Sequence, residues 1–158
     1  MTSAPLVRPM RLGDVPAVAA IMAGNTLWQR YGVTVDSATL RLQEGLEHGA
    51  TIAVVEVGGS VAGFVWYAVE GAFQRSGYIM LFGVDPTRRA QGLGRALLTH
   101  AEDALFATSS SIVLLVSDFN EEAQRFYRRH GYMQVGVLPD YVMAGVNELG
   151  SGLRMCGP

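Results

Sequence analysis

The chain holds a single cysteine, Cys156, so an internal disulfide is excluded and a reducing, cytoplasmic setting is the expectation. No apolar run reaches the ~18 residues that a membrane-spanning helix needs, and no charged segment leads into an apolar signal stretch. No membrane partner is expected. Charged residues make up only 16% of the 158 and hydrophobic ones 49%, which excludes a disordered chain. The net charge is −2, the wrong sign for a general nucleic-acid binder. His48, His100 and His130 are scattered, with no cysteine or carboxylate at ligand spacing, so no metal site is expected. Ser109 to Ser111 shows no nucleophile-elbow pattern, and a covalent acyl-enzyme is not indicated.

What is present suits one domain. Residues 1–158 are expected to bury roughly two-thirds of their unfolded surface as a single unit. The informative stretch is Val84-Asp85-Pro86-Thr87-Arg88-Arg89-Ala90-Gln91-Gly92-Leu93-Gly94-Arg95-Ala96-Leu97-Leu98. Before it, Tyr78 to Val84 is apolar at nearly every position, as a strand covered on both faces would be. After it, Leu93, Leu97, Leu98, Ala101, Ala104 and Leu105 recur at the spacing of one helical face. Gly92 and Gly94 fall where that helix begins. A helix start leaves amide N–H groups unpaired and carries partial positive charge, and glycine lets an anion approach them. Arg88, Arg89 and Arg95 add full charges around the same point. The pattern is a phosphate seat for a small anionic ligand. It lacks the Gly-Lys-Ser/Thr of a P-loop, because Gly94 is followed by Arg95 and Ala96. It also lacks the third glycine of a dinucleotide fingerprint, because position 97 is Leu.

Taken in order, Leu6 to Arg11 contains Pro9 and is at best an edge strand. Asp14 caps a helix that stops at Gly24, and Asp36 caps a second that closes at Gly49. Between them, Asn25 to Val35 holds Trp28 and Tyr31 with little periodicity; Trp28 reads as packing on the sheet. Thr51 to Val57 and Ser60 to Glu70 are strands joined by Gly58-Gly59, a two-residue hairpin signal. Gly71 to Gly77 reads as a loop. Ile112 to Val116 suits a buried strand parallel to the one before the glycines, joined to it by a right-handed crossover. Asn120 or Asp118 caps a helix with acids in its first turn, bases in its last, and Gly131 at its end. Tyr132 to Leu138 is a sixth strand, Pro139 to Gly150 a loop, and Gly152 to Cys156 a last strand.

Arg89, Gly92 and Gly94 fill an Arg-x-x-Gly-x-Gly pattern after Val84-x-Pro86. Downstream, Asn120, Ala123, Phe126 and Tyr127 fill Asn-x-x-Ala-x-x-Phe-Tyr before Gly131-Tyr132. Together these resemble the two signatures of the GNAT superfamily of N-acetyltransferases, over about residues 78–132. The resemblance implies an α/β (α+β) fold: a central mixed, mostly antiparallel sheet of about seven strands with two parallel central strands, flanked by about four helices. It also implies acetyl-CoA as the acyl donor, its pantetheine arm between the splayed parallel strands, and an amine-bearing acceptor. A homodimer is common among such proteins.

By the same resemblance, the pyrophosphate falls to the backbone around Gln91, Gly92, Leu93, Gly94 and Arg95, with Arg89 at the turn. A backbone N–H near Gly83 or Val84 would polarise the thioester carbonyl. Tyr127 would protonate the leaving thiolate, and Asn120 would contact the cofactor. Members of the superfamily commonly carry a carboxylate in the strand before the glycines, but Ile79-Met80-Leu81-Phe82 has none. Glu70, Asp118, Asp140 and Tyr141 stand open as general bases, beside a water relay or an amine that arrives neutral. Trp28, Tyr31, Trp66, Tyr67 and Tyr141 are candidates to line the acceptor pocket.

Overall fold

The computed structural model describes residues 3–155. In chain order the main elements are β1 (Leu6–Pro9), α1 (Val15–Ala23), α2 (Thr26–Arg30), α3 (Val35–Glu47), β2 (Thr51–Val57), β3 (Ser60–Ala72) and β4 (Ser76–Val84). They continue with α4 (Leu93–Phe106), β5 (Ser111–Ser117), α5 (Glu121–Arg129), β6 (Met133–Leu138) and β7 (Glu148–Arg154). The seven strands form one mixed sheet in the order β1-β2-β3-β4-β5-β7-β6, with β4 and β5 as the parallel pair. This is the expected fold, with five α-helices among the described residues where about four were expected. The additional one is the short α2, in the stretch that shows little periodicity. No helix among the described residues is long and apolar enough to cross a membrane.

Internal contacts divide the chain into two compact units. One comprises the residues up to Tyr67 together with Leu81–Asp103; the other comprises Ala68–Met80 and the chain from Ala104 onward. In the first unit β1 pairs antiparallel with β2, and its Pro9 sits on an edge strand, where a missing N–H is tolerated. Gly58 and Gly59 take φ of +59° and +80°, so β2 turns into β3 through the two-residue hairpin that those glycines announce. The core gathers Val18, Met22, Leu42, Val54, Val55, Phe64, Leu97 and Leu98, all essentially without solvent exposure.

Two caps differ from expectation. Asp14 makes no side-chain cap bond to α1; its carboxylate instead accepts from Arg8 and from the Arg11 N–H. Helix α3 is capped by Thr34 and not by Asp36. Thr34 Oγ1 accepts the Ser37 N–H at 3.1 Å, and Ser37 Oγ accepts the Thr34 N–H at 2.9 Å. That reciprocal pair satisfies two donors at once, and Asp36 sits in the first turn, where its charge suits the helix dipole.

In the second unit, β4 pairs with β5 through Gly77–Ile112, Tyr78–Val113 and Ile79–Leu114. β5 pairs along its whole length with β7, from Ser111–Arg154 to Ser117–Glu148. β3 and β4 run further than expected, leaving only residues 73–75 as the loop between them. Phe73 and Gln74 both take positive φ in that tight turn. β7 begins at Glu148, inside the expected loop, and ends at Arg154; Cys156 lies outside the described residues.

Candidate functional site

The phosphate seat lies in the first unit. Asp85 Oδ1 accepts the Thr87 N–H at 2.9 Å and the Thr87 hydroxyl at 2.8 Å, and the Arg88 N–H returns to the Asp85 carbonyl at 2.9 Å. These bonds fix the turn that leaves β4. Ala90 and Gly92 then take φ of +62° and +74°, and α4 starts at Leu93. An added Cβ on Gly92 would meet nothing within 4 Å, so the glycine answers to backbone conformation and open approach, not to packing. The first helical bond runs from the Ala96 N–H to the Gly92 carbonyl at 3.1 Å. The amides of Leu93, Gly94 and Arg95 therefore precede the helical hydrogen-bond ladder. Leu93 is buried at 2% exposure and anchors this turn, while Arg89, Gln91, Gly92 and Arg95 are exposed. Arg88 is turned away, its guanidinium donating to the Val57 carbonyl at 3.3 Å. A cavity of about 470 Å³ opens against Gln91 and Leu93, bounded also by Val57 and Ser3–Pro5.

Val84 closes β4. The Asp85 N–H donates to the Ala62 carbonyl of β3 at 2.8 Å. Along an extended chain successive amides alternate sides, so the Gly83 N–H shares that direction and the Val84 N–H points to the opposite edge. Of the two expected carbonyl polarisers, Val84 is the one whose donor faces away from β3. Sequence reasoning missed why Gly83 is glycine. A Cβ there would lie 2.5 Å from the Trp28 ring, and one on Gly63 would lie 2.8 Å from the Gly83 carbonyl oxygen. Trp28 is buried beside Phe64, ring centroids 5.6 Å apart, and is a packing residue. Trp66 and Tyr67 are buried too, Trp66 beneath Gly45 and Tyr67 with its hydroxyl 3.4 Å from His100 Nε2. Tyr31 is half-buried, and Tyr141 is exposed in the second unit.

The second unit carries the downstream signature. Asn120 Oδ1 accepts the Ala123 N–H at 3.1 Å, so Asn120 and not Asp118 caps α5. Tyr127 is buried at 8% exposure between Phe126 and Tyr132, with ring centroids at 5.3 and 5.5 Å, both edge-on. Burial pushes its phenol well above the ordinary value. Of the open bases, Asp118 accepts the Asn147 N–H at 3.1 Å and Asp140 the Gly145 N–H at 2.6 Å. Both carboxylates hold loops in shape. Glu70 lies on an exposed stretch of β3 at φ +53°. One acid escaped the sequence reading: Glu148, at 4% exposure, bonded to Ser117. Its only signal was a carboxylate next to a short Leu-Gly-Ser-Gly-Leu alternation, of which Leu149 and Gly150 read as loop and Gly152 and Leu153 as strand.

Among the described residues no group of three or more His, Cys, Asp or Glu is placed to hold a metal ion. The model of the family described as "Acetyltransferase (GNAT) family" matches residues 21–132. A mycothiol acetyltransferase of Kineococcus radiotolerans is 32% identical over 108 residues, which is 68% of this chain and 35% of that protein. The chain spans only about a quarter to a third of the mycothiol acetyltransferases it matches. In fold it is similar to an acetyltransferase of the GNAT family from Desulfovibrio desulfuricans, at a TM-score of 0.80 and 23% identity, over 96% of this chain and 99% of that one. It is also similar to the yncA acetyltransferase of Salmonella typhimurium, solved with acetyl-CoA, at 0.75 and 18% identity, over 99% and 96%.

Proposed function

Because the chain belongs to the Acetyltransferase (GNAT) family, we propose that it moves the acetyl group of acetyl-CoA directly onto a primary amine, working as one acetyltransferase domain. The observation that carries the reading is the start of α4. Gly92 at φ +74°, a buried Leu93 and amides ahead of the first helical bond form an anion seat where the family's signature expects one. In this reading the amides from Gln91 to Arg95, with Arg89, hold the pyrophosphate. Charge-assisted bonds of about 1.5–3 kcal/mol each make several of them a firm grip. The Val84 N–H donates to the thioester oxygen as negative charge develops there. Tyr127 donates to the departing thiolate, and Asn120 adds a cofactor contact beside its capping role.

A second reading has one observation in its favour. The acid-free run Ile79–Phe82 suits a binding module that holds an acyl-CoA and transfers nothing. The two part company in solution. Calorimetric titration with acetyl-CoA, CoA, a longer acyl-CoA and ATP is expected to show acetyl-CoA bound and ATP ignored. Thiol release is then followed with a panel of amines that includes a mycothiol-type acceptor. Every one of the 12 basic residues is arginine, so acetylation of lysine side chains on the chain itself cannot mask the signal. Binding without amine-dependent thiol release makes the protein a silent module, and absence of binding removes the phosphate seat.

A further inference from the structure

The two edge strands of the sheet differ in how they are guarded. β1 is four residues long, holds Pro9, and carries Arg8 in ion pairs to Asp14 and Glu56 at 2.8 Å each. Shortness, proline and fixed charge are the ordinary guards of an edge strand, whose outer N–H and C=O groups otherwise recruit another chain. β6 stands at the opposite edge, paired with β7 alone among the described strands. Its sequence, Met-Gln-Val-Gly-Val-Leu, has no charge and no proline, and all six residues are exposed. One guard is present. The ladder shifts between Gln134 and Gly136, which makes Val135 the extra residue of a bulge.

That bulge interrupts backbone pairing and leaves an apolar side chain outside. Val135 is 67% exposed beside Met133 at 70%, and Val137 and Leu138 are exposed too. The loop that follows adds Tyr141 and Val142, both exposed. Together the six side chains offer on the order of 600 Å², the upper end of what a soluble monomer leaves in one patch. With Gln134, Gly136 and the edge backbone, the surface approaches the roughly 800 Å² per partner of a stable interface.

The charges at the two ends of β6 say what covers it. At its start lie Arg128 and Arg129, which close α5, and Arg154, two residues beyond the Gly152 that pairs with Met133. All three are exposed. At its end lies Asp140, also exposed; its Oδ1 accepts the Gly145 N–H, and a carboxylate has further acceptor sites. A strand with a basic start, an uncharged middle and an acidic end is complementary to itself turned end for end.

We propose that β6 is the surface on which two copies of this chain associate, antiparallel about a two-fold axis through the middle of the strand. In that arrangement each apolar patch covers the other, and the arginines at the start of β6 face Asp140 of the second copy. The apolar side chains supply affinity, while the charges at the rim set the orientation. The inference goes beyond the transferase reading and stands without it.

The test is the mass of the full chain by sedimentation at about 50 μM, above the micromolar limit for interfaces of this size. Wild type is expected at twice the 17.0 kDa of one chain. Val135→Lys places a charge where the patch closes and is expected to weaken association by roughly 100-fold or more, leaving single chains. Its thermal melt should match wild type, because the position is open in the single chain. Leu40→Lys, at an exposed position of α3, is the control and should remain paired. A second measurement uses Val135→Cys in a Cys156→Ser chain. The two-fold axis brings the two new thiols together, so mild oxidation is expected to give a covalent pair, and Leu40→Cys in the same chain none. Single chains in wild type overturn the inference, as do assemblies larger than two or a Val135→Lys chain that stays paired. An equal covalent yield from Leu40→Cys also overturns it. Should Val135→Lys not fold, absence of the covalent pair in Val135→Cys decides against it alone.

Discussion

A phenol that burial pushes above its ordinary range, as at Tyr127, keeps its proton throughout the neutral range. A thiol sits lower, near 8.5 for cysteine, so full transfer from such a phenol to a thiolate runs uphill. The useful act is a hydrogen bond that strengthens as negative charge gathers on sulfur, with the proton following as another is supplied. Tyr127→Phe is therefore expected to lower kcat by about 10- to 100-fold, at the weak end of acid catalysis, with acetyl-CoA affinity intact. Equal rates with a working acceptor would remove the role. At Gly92 the demand is conformational. Any L-residue at φ +74° adds about 1–2 kcal/mol of strain, and its side chain stands in the path of the anion. Gly92→Val is expected to abolish acetyl-CoA binding in calorimetry while the melt still shows a cooperative fold; undiminished affinity sinks the phosphate seat.

Among the elements, α5 separates capping from cofactor contact. Asn120→Ala removes the bond to the Ala123 N–H and is expected to lower stability by about 1 kcal/mol, read by urea unfolding. Asn120→Asp keeps the cap, so a loss of acetyl-CoA affinity there isolates the side-chain amide as a ligand contact, and full affinity leaves Asn120 a cap alone. The sequence announced α4 and α5 because each begins with a residue whose backbone or side chain has a local reason, Gly92 and Asn120. It announced the β2–β3 hairpin through Gly58-Gly59 for the same reason. It did not announce α2, whose five residues are too few for a period and whose fixed point is Trp28 packed on Phe64. It misplaced the start of β7 because Gly150 and Gly152 dilute the strand pattern, and with that start went Glu148. Gly83 was equally silent, since the tryptophan that excludes a side chain there lies 55 positions earlier in the chain.

For the molecule as a whole, buried and paired titratable groups set the pH limits of stability. In the first unit the Asp14 carboxylate accepts from the Arg8 guanidinium at 2.8 and 3.0 Å and from the Arg11 N–H at 2.8 Å. Chiefly the Arg8 bond holds its carboxyl below the usual 3.8, against the opposing effect of burial. A group depressed in the folded state contributes stability above its unfolded value, and that contribution is lost as pH falls through the folded one. Tyr127 in the second unit and Tyr67 in the first are raised by burial. Their contribution is complete below ~10, the ordinary phenol value, and disappears as pH climbs through the folded values. Stability is thus expected to be level between about pH 5 and 9 as far as these groups decide it, with an acid limb and an alkaline limb. Urea unfolding across pH 3–11 checks this. Asp14→Asn should flatten the acid limb and leave the alkaline one, while Tyr127→Phe should make the alkaline limb shallower, Tyr67 keeping the rest, and leave the acid one. If both variants keep the wild-type limbs, the charge pairing at Asp14 and the buried phenol are not what the fold loses at its extremes.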